Sequence, residues 1–394
     1  MGSSHPKIST PGSHELKHEA ADPRELPRFA PTHAEPDDVL AENVFHSMLT
    51  LERRRAERSR KPFVLMLLDA NLEHGPAAEI LKQAVDIVAA SKRETDLVGW
   101  YKHGVILGII FTEVNEEAGE PVTDILRLKV ENAFVKHLGR ERASKIAMSL
   151  HVFPETWDKN GSGWVADTKL YPDLKRKGRR KRLPLAIKRM IDVIASAAFL
   201  LVLSPLLAVI VAVIKLTSKG PVIYKQERLG QYGERFKCLK FRTMYANNDP
   251  KIHQEYVQKY IAGQDGLDNS CGAATPVYKL VKDPRITSIG GFLRKTSLDE
   301  LPQFWNVLRG DMSLVGPRPP VPYEFEVYDL WHRRRVLEVR PGLTGLWQVS
   351  GRNRTKFDEM VRLDLRYCRT WSIWLDIKIL IATPLAVFNG GGAC

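Results

Sequence analysis

Residues 193–214 read VIASAAFLLVLSPLLAVIVAVI, twenty-two positions without one charged side chain. A helix rises ~1.5 Å per residue, so this run is long enough for a bilayer core of ~30 Å. Ser204 and Pro205 interrupt it near its middle. Proline removes a backbone donor and crowds the preceding turn, which predicts a kink there. Lys188 and Arg189 precede the run, and Lys215 and Lys219 follow it. Positive flanks stay cytoplasmic. With both flanks positive, the leading expectation is a helix that enters, bends at Pro205 and leaves on the same side. A straight span and a buried core helix are the alternatives.

The rest of the chain divides around that segment. With 394 residues and 44% hydrophobic content there is material for two domains. Residues 1–40 are polar and proline-rich and read as a disordered tail. Residues 41–157 give a charged helix (41–60), the buried strand KPFVLMLLD, the helix AAEILKQAVDIVAASKR and two strands turning at Lys102–Gly104. The helix TDILRLKVENAFVKHL and the strand KIAMSLHVFP complete it. This strand-helix-strand-strand-helix-strand order implies a small antiparallel, ferredoxin-like sheet with helices on one face. Residues 158–182 pass from glycine-rich to densely basic and read as a linker. The fold class is therefore α+β, with the apolar segment (183–216) leading into a C-terminal domain (217–394).

A formal net charge of +13 fits an anionic partner, such as nucleic acid, acidic lipid or a phosphorylated substrate, or a merely soluble basic protein. No helix-turn-helix, RRM or finger pattern supports nucleic acid. The four cysteines are scattered, which suggests neither a zinc site nor a disulfide framework and fits a reducing compartment.

The chemistry-bearing residues lie in the C-terminal half. In KCLKFRTM, strand alternation would set Lys240 and Arg242 on one face, suited either to phosphate or to solvent. Downstream comes the flexible-looking pair Gly290-Gly291, then RKTSLDELPQFWNVLRGDMSLVGPRP, residues 294–319. There Asp299 and Glu300 sit among Arg294, Lys295, Arg309 and Arg318. Ser297 to Glu300 matches a capping box, with Ser297 as N-cap, whereas Pro302 favours a helix beginning near Leu301. Either arrangement brings two carboxylates to a helix N-terminus, where anions are stabilised. No P-loop, dinucleotide turn, serine triad or zinc signature is present.

Two family resemblances follow from these stretches. Residues 45–157, including RETDLVGWY before the central hairpin, resemble the diguanylate-cyclase (GGDEF) fold. Where that family has Gly-Gly-Asp-Glu-Phe this chain has KHGVI, residues 102–106, so cyclase activity is not expected. A regulatory or oligomerising module and a plain α/β appendage both remain open. The C-terminal half, through KRMIDV, KFRTM, DPRIT, the 294–319 stretch, RPGLTGLWQVSGR and WSIWLDIKIL, strongly resembles the bacterial sugar transferases, the monotopic polyprenyl-phosphate phosphoglycosyltransferases.

That resemblance implies transfer of a hexose 1-phosphate, glucose or galactose type, from a UDP-sugar to polyprenyl phosphate, with release of UMP. The implied place is the cytoplasmic face of the bacterial inner membrane, in glycan assembly. It implies Asp299 as nucleophile and Glu300 as its acid/base neighbour. Lys240, Arg242, Arg294 and Arg318, with Pro317 and Pro319 flanking the last, would line the substrate site, and Mg²⁺ would bind beside Asp299. The tail with Trp371 and Trp374 reads as an interfacial or a core-packing helix. A non-catalytic nucleotide-sensing scaffold is the alternative reading, and homo-oligomerisation stays open. The segment 245–279 is expected as a lid or a surface insertion.

Overall fold

In the computed structural model, residues 39–69, 77–112, 114, 122–155, 165–174, 182–245, 258, 260–261, 285–350 and 355–389 are described. Most of the expected tail, the basic run 175–181 and nearly all of 245–279 lie outside them.

Strand β1 (Phe63–Asp69) buries six of its seven residues, because both of its faces are covered. Phe63, Leu65 and Leu67 pack with Phe45 and Leu49 of α1 (Glu42–Ser59). Val64, Met66 and Leu68 pack instead with Ala84 and Val85 of α2 (Ala77–Ser91) and Phe134 of α3 (Val122–Leu138). With β2 (Leu97–Lys102), β3 (Ile106–Phe111) and β4 (Ala147–Phe153), β1 forms an antiparallel sheet of order β2-β3-β1-β4. That is the order the sequence pattern implies.

The expectation of helices on one face needs correction: α1 covers the other. A strand that is apolar on both sides demands two covers, and the sheet makes room for the second one at Gly108. A Cβ there would meet the Phe45 ring at 2.5 Å.

The expected linker is corrected too. Residues 165–174 are no solvated spacer, since Ala166, Leu170 and Tyr171 are buried in the cluster around Phe45. Arg53 of α1 pairs with Asp173 at 2.5 Å and lies over the Tyr171 ring. The same cluster runs on into Phe325, Tyr328 and Phe357 of the C-terminal half, so the two halves share one apolar core.

The uncharged run forms α4 (Arg182–Val202) and α5 (Ser204–Thr217), bent by 61° at the break. Pro205 sits in the first turn of α5, where its missing N–H costs nothing. Among the described residues no single helix is long and apolar enough to cross a membrane, while this bent pair passes on length and composition. Its elbow is bare: Leu201 and Val202 are 76% and 72% exposed.

The base of α4 is more than the positive flank that the sequence shows. Lys188 donates to Asp376 Oδ2 at 2.6 Å and to the Val315 carbonyl at 3.1 Å. Arg189 donates to the Val307 and Leu308 carbonyls at 2.6 and 2.7 Å, and Asp192 accepts from the Leu314 amide at 3.1 Å. Three charged side chains one helical turn apart bolt α4 to the protein body. At the other end, Ile210 and Ile214 of α5 pack against Phe241 and Leu293.

The body comprises the hairpin β5 (Ile223–Leu229) and β6 (Arg235–Phe241), helices α6 (Ser288–Thr296) and α7 (Gln303–Arg309), and the short parallel pair β7 (Ser313–Val315) and β8 (Gly342–Thr344). Helices α8 (Leu346–Ser350), α9 (Phe357–Thr370) and α10 (Ile373–Asn389) close it. The two tail tryptophans part company. Trp371 is buried and donates to Asp376 at 3.1 Å, whereas Trp374 is exposed on the same side of the chain as the apolar Ile381 and Leu385 of α10. The tail helix is therefore core-packed on one face and openly apolar on another.

Candidate active site

The carboxylate pair is placed by the way α6 starts and stops. Thr287 caps its N-terminus, its Oγ1 accepting from the Gly290 amide at 3.0 Å. Gly290 is no hinge: a Cβ there would meet the Thr243 carbonyl oxygen at 2.1 Å, so glycine lets α6 lie directly on the strand-end KFRTM. Ser297 ends α6 in the left-handed region (φ 57°), and a single 3₁₀ turn, Leu298–Glu300, follows before α7.

The capping box anticipated at Ser297 does not form. An N-cap residue is extended, and Ser297 is instead spent on closing the helix before it. The alternative of a helix starting after Leu301 is the observed one, with Pro302 next to its first turn.

Within that turn Asp299 and Glu300 have opposite electrostatics. Asp299 is 8% exposed, and burial, with the neighbouring Glu300 charge, pushes its carboxyl up to about 6, against the pull of Lys240 and Arg294. Among the described residues no other side chain hydrogen-bonds it. Glu300 also meets a burial penalty, but Lys240 donates to Oε1 at 2.9 Å and Arg318 and Arg228 add their fields. Its carboxyl is held below the usual range. One carboxylate is thus neutralised in place, and its neighbour is left electron-rich and unpaired.

The other expected binding residues divide. Lys240 is at the site. Arg242 is buried and turned away, donating to Ser218 at the end of α5 through 2.8 Å bonds to Oγ and to the carbonyl. It lies just beyond β6, so the alternation that would pair it with Lys240 no longer applies. Arg294 is exposed, donates to Thr243 Oγ1 at 3.1 Å and acts on Asp299.

Arg318 reaches Glu300 electrostatically, while its carbonyl accepts from Arg335 at 2.9 Å. Pro317 and Pro319 are buried, and their carbonyls accept from the Gly342 amide at 2.8 Å and from Arg228 Nη1. Both prolines therefore fix the loop that carries Arg318. Two cations of the original cluster stand apart: Lys295 is exposed, and Arg309 faces Asp311 at 3.5 Å.

Sequence reasoning missed two supports. Arg228 reads as one more basic position of a strand, yet it is buried and holds Pro319 while acting on Glu300. Asn306 is fully buried. Its Oδ1 accepts from the Leu239 amide and its Nδ2 donates to the Lys237 carbonyl, both at 2.9 Å, locking β6 to α7. Its signal was an amide residue inside the apolar run FWNVL. The turn is flanked by half-exposed aromatic side chains, Phe292 on α6 and Trp305 on α7, at 56% and 53% exposure. A buried, unpaired carboxylate ringed by cations, beside an apolar surface, can attack an anionic electrophile presented at that surface.

The chain matches the profile of the bacterial sugar transferases over residues 183–390. It is 43% identical over 216 residues to an undecaprenyl-phosphate galactose phosphotransferase of Salmonella typhimurium, a match covering 54% of this chain and 43% of that protein. It is 44% identical over 206 residues to the exopolysaccharide production protein ExoY of Rhizobium meliloti, covering 52% of this chain and 87% of that one. The chain thus spans less than half the length of the Salmonella relative. Among solved structures, a DGC protein from Thermotoga maritima aligns with 30% of this chain and 83% of its own, at 18% identity and a TM-score of 0.24.

Proposed function

The chain belongs to the bacterial sugar transferases, and from that premise we propose that it moves a hexose 1-phosphate from a UDP-sugar to a polyprenyl phosphate, releasing UMP. The observation that carries this reading is the pairing of a buried, unpartnered Asp299 with a Glu300 neutralised by Lys240. Relatives bearing names of galactose and glucose transferases acting with undecaprenyl phosphate support the substrate classes.

In the first step an Asp299 carboxylate oxygen attacks the sugar-bearing phosphorus. The bridging P–O bond breaks toward the uridine side, so UMP leaves with the electron pair and the sugar phosphate stays on Asp299. In the second step an oxygen of the polyprenyl phosphate attacks the same phosphorus and Asp299 is released. Glu300, kept ionised, is a poor proton donor and, with its carboxyl held below the usual range, a weak base, so its charge chiefly holds Lys240 beside the reacting groups. Arg294, Lys240 and Arg318 offset the repulsion between Asp299 and the diphosphate, which is the main demand of phosphoryl transfer.

The donor set suits a Mg²⁺ ion, which takes one or two carboxylates and completes its shell with substrate phosphates. Asp299 offers a carboxylate that no other side chain occupies, and among the described residues no cluster of three or more His, Cys, Asp or Glu forms a self-sufficient cage. When bound, the ion would supply further charge neutralisation on the diphosphate.

The bent pair α4–α5 acts as a re-entrant anchor. Both of its far ends grip one body, through Lys188, Arg189 and Asp192 on one side and Ile210, Ile214 and Ser218 on the other. One body cannot lie on both sides of a bilayer, so the bare elbow dips in and returns. In this reading the turn 298–300 lies at the interface where a lipid phosphate resides, on the cytoplasmic face of the inner membrane.

A UMP-release assay with UDP-glucose and UDP-galactose, with and without polyprenyl phosphate, tests the reading. Sustained release that requires the lipid is expected, and it vanishes in Asp299→Asn. No release with either donor, or undiminished release in the variant, would contradict it.

A further inference from the structure

A second charged cavity lies away from Asp299, between the N-terminal helix α1 and the C-terminal half. It has a volume of about 640 Å³ and is lined from α1 by Arg54 and Arg58 and from α9 by Arg369. Trp331 and Arg334 come from the segment between them. Its carboxylates are already engaged, because Arg334 faces Glu57 at 3.9 Å and Glu338 at 3.6 Å. Arg54 and Arg58 act on Glu57 only through their fields, and among the described residues neither they nor Arg369 makes a close ion pair. Four guanidiniums against two carboxylates leave this cleft with an excess of positive charge, which favours an anionic ligand. Guanidinium pairs with phosphate bidentately and also stacks on planar rings, and Trp331, which lines this cavity, offers such a ring face. The volume falls in the range of small-molecule sites.

We propose that this cleft binds a purine nucleotide carrying two or more phosphates, the phosphates on Arg54, Arg58 and Arg369 and the base against Trp331. The site shares no residue with the transfer reaction proposed above. It is coupled to it by proximity in the chain: Arg335, next to Arg334, pairs with Asp364 of α9 at 2.7 Å and donates to the Arg318 carbonyl at 2.9 Å. A ligand that draws α1 and α9 together therefore bears on the segment that supports the Arg318 loop.

The test is calorimetric titration of the full chain in detergent with ATP, GTP, tripolyphosphate and guanosine, for the native chain and for Arg58→Glu/Arg369→Glu. Both positions are exposed and lie outside the transfer machinery, so the variant should keep the native melting temperature and UMP release. Saturable binding of ATP or GTP with a Kd on the order of 10–100 μM is expected. The double variant should weaken it at least tenfold, and tripolyphosphate and guanosine should each bind at least tenfold more weakly than the nucleotide. The proposal is overturned if no nucleotide binds, if the double variant binds as the native chain does, or if tripolyphosphate binds as tightly as ATP. The last result would identify a plain anion patch.

Discussion

Asp299 and Glu300 are neighbours in the chain, yet one carboxyl is pushed up to about 6 by burial and the other is held down by Lys240. The largest pull on Glu300 comes from one ammonium 2.9 Å away, with Arg318 and Arg228 behind it. Replacing it, Lys240→Met, removes a cation from both carboxylates and from the donor diphosphate. UMP release should fall about 10²-fold, the scale of losing one preorganised charge-stabilising contact. Arg242→Met should act differently, loosening the end of α5 through the lost bonds to Ser218 and lowering stability more than turnover. Equal turnover losses in the two variants would argue against the division of roles drawn here. At this scale the sequence shows which charges exist but not where each one ends. Lys188 reads as a flank and is a partly buried anchor, and its partner Asp376 lies 188 positions away.

Among elements, the central device is the succession of α6, a left-handed Ser297, one 3₁₀ turn and α7. The letters SLDE fit a capping box equally well, and what decides against it is the left-handed Ser297, which closes α6, while Gly290 lets the first turn of α6 press on Thr243. Asn306 holds the opposite side of the same assembly. Asn306→Leu strands the Leu239 amide and the Lys237 carbonyl, and the cost should be about 2 kcal/mol, read as a lowered melting temperature.

The single-turn helix Leu330–Arg333 supplies a pH dependence. His332 Nδ1 accepts from the Asp329 amide at 3.2 Å and Nε2 faces Asp358 at 3.1 Å, so the neutral ring donates to Asp358 through Nε2. Burial lowers its pKa below 6.5 against the pull of Asp358. With the folded pKa depressed, the unfolded chain binds more protons at low pH. The stability contribution is full above 6.5 and is lost as pH falls through the folded value. Melting temperature should therefore drop on acidification, and His332→Gln should remove part of that drop; an unchanged pH profile in the variant would count against the assignment.

For the whole molecule, two features were readable and one was not. The succession of strands and helices in the N-terminal half follows from its apolar runs and periods, and the break at Pro205 follows from proline stereochemistry. The shared core was hidden. It depends on Tyr171, Phe325 and Phe357 meeting across long sequence separations, and nothing in a local pattern marks which apolar residues will meet.

That common core and the bolted base of α4 fix the molecule against one side of a membrane in the proposed reading. Lys219→Cys, in a background freed of the native cysteines, should be reached by an impermeant maleimide only after cells are permeabilised. Labelling in intact cells would indicate a straight span.

The most direct test of the account is the covalent step itself. The purified chain would be mixed with UDP-galactose or UDP-glucose in the absence of polyprenyl phosphate, quenched in acid, and examined by intact and peptide mass spectrometry. The account predicts a hexose-phosphate adduct on the peptide containing Asp299, discharged when polyprenyl phosphate is added and absent in Asp299→Asn. Lipid-dependent turnover with no adduct, or an adduct on another residue, would contradict it.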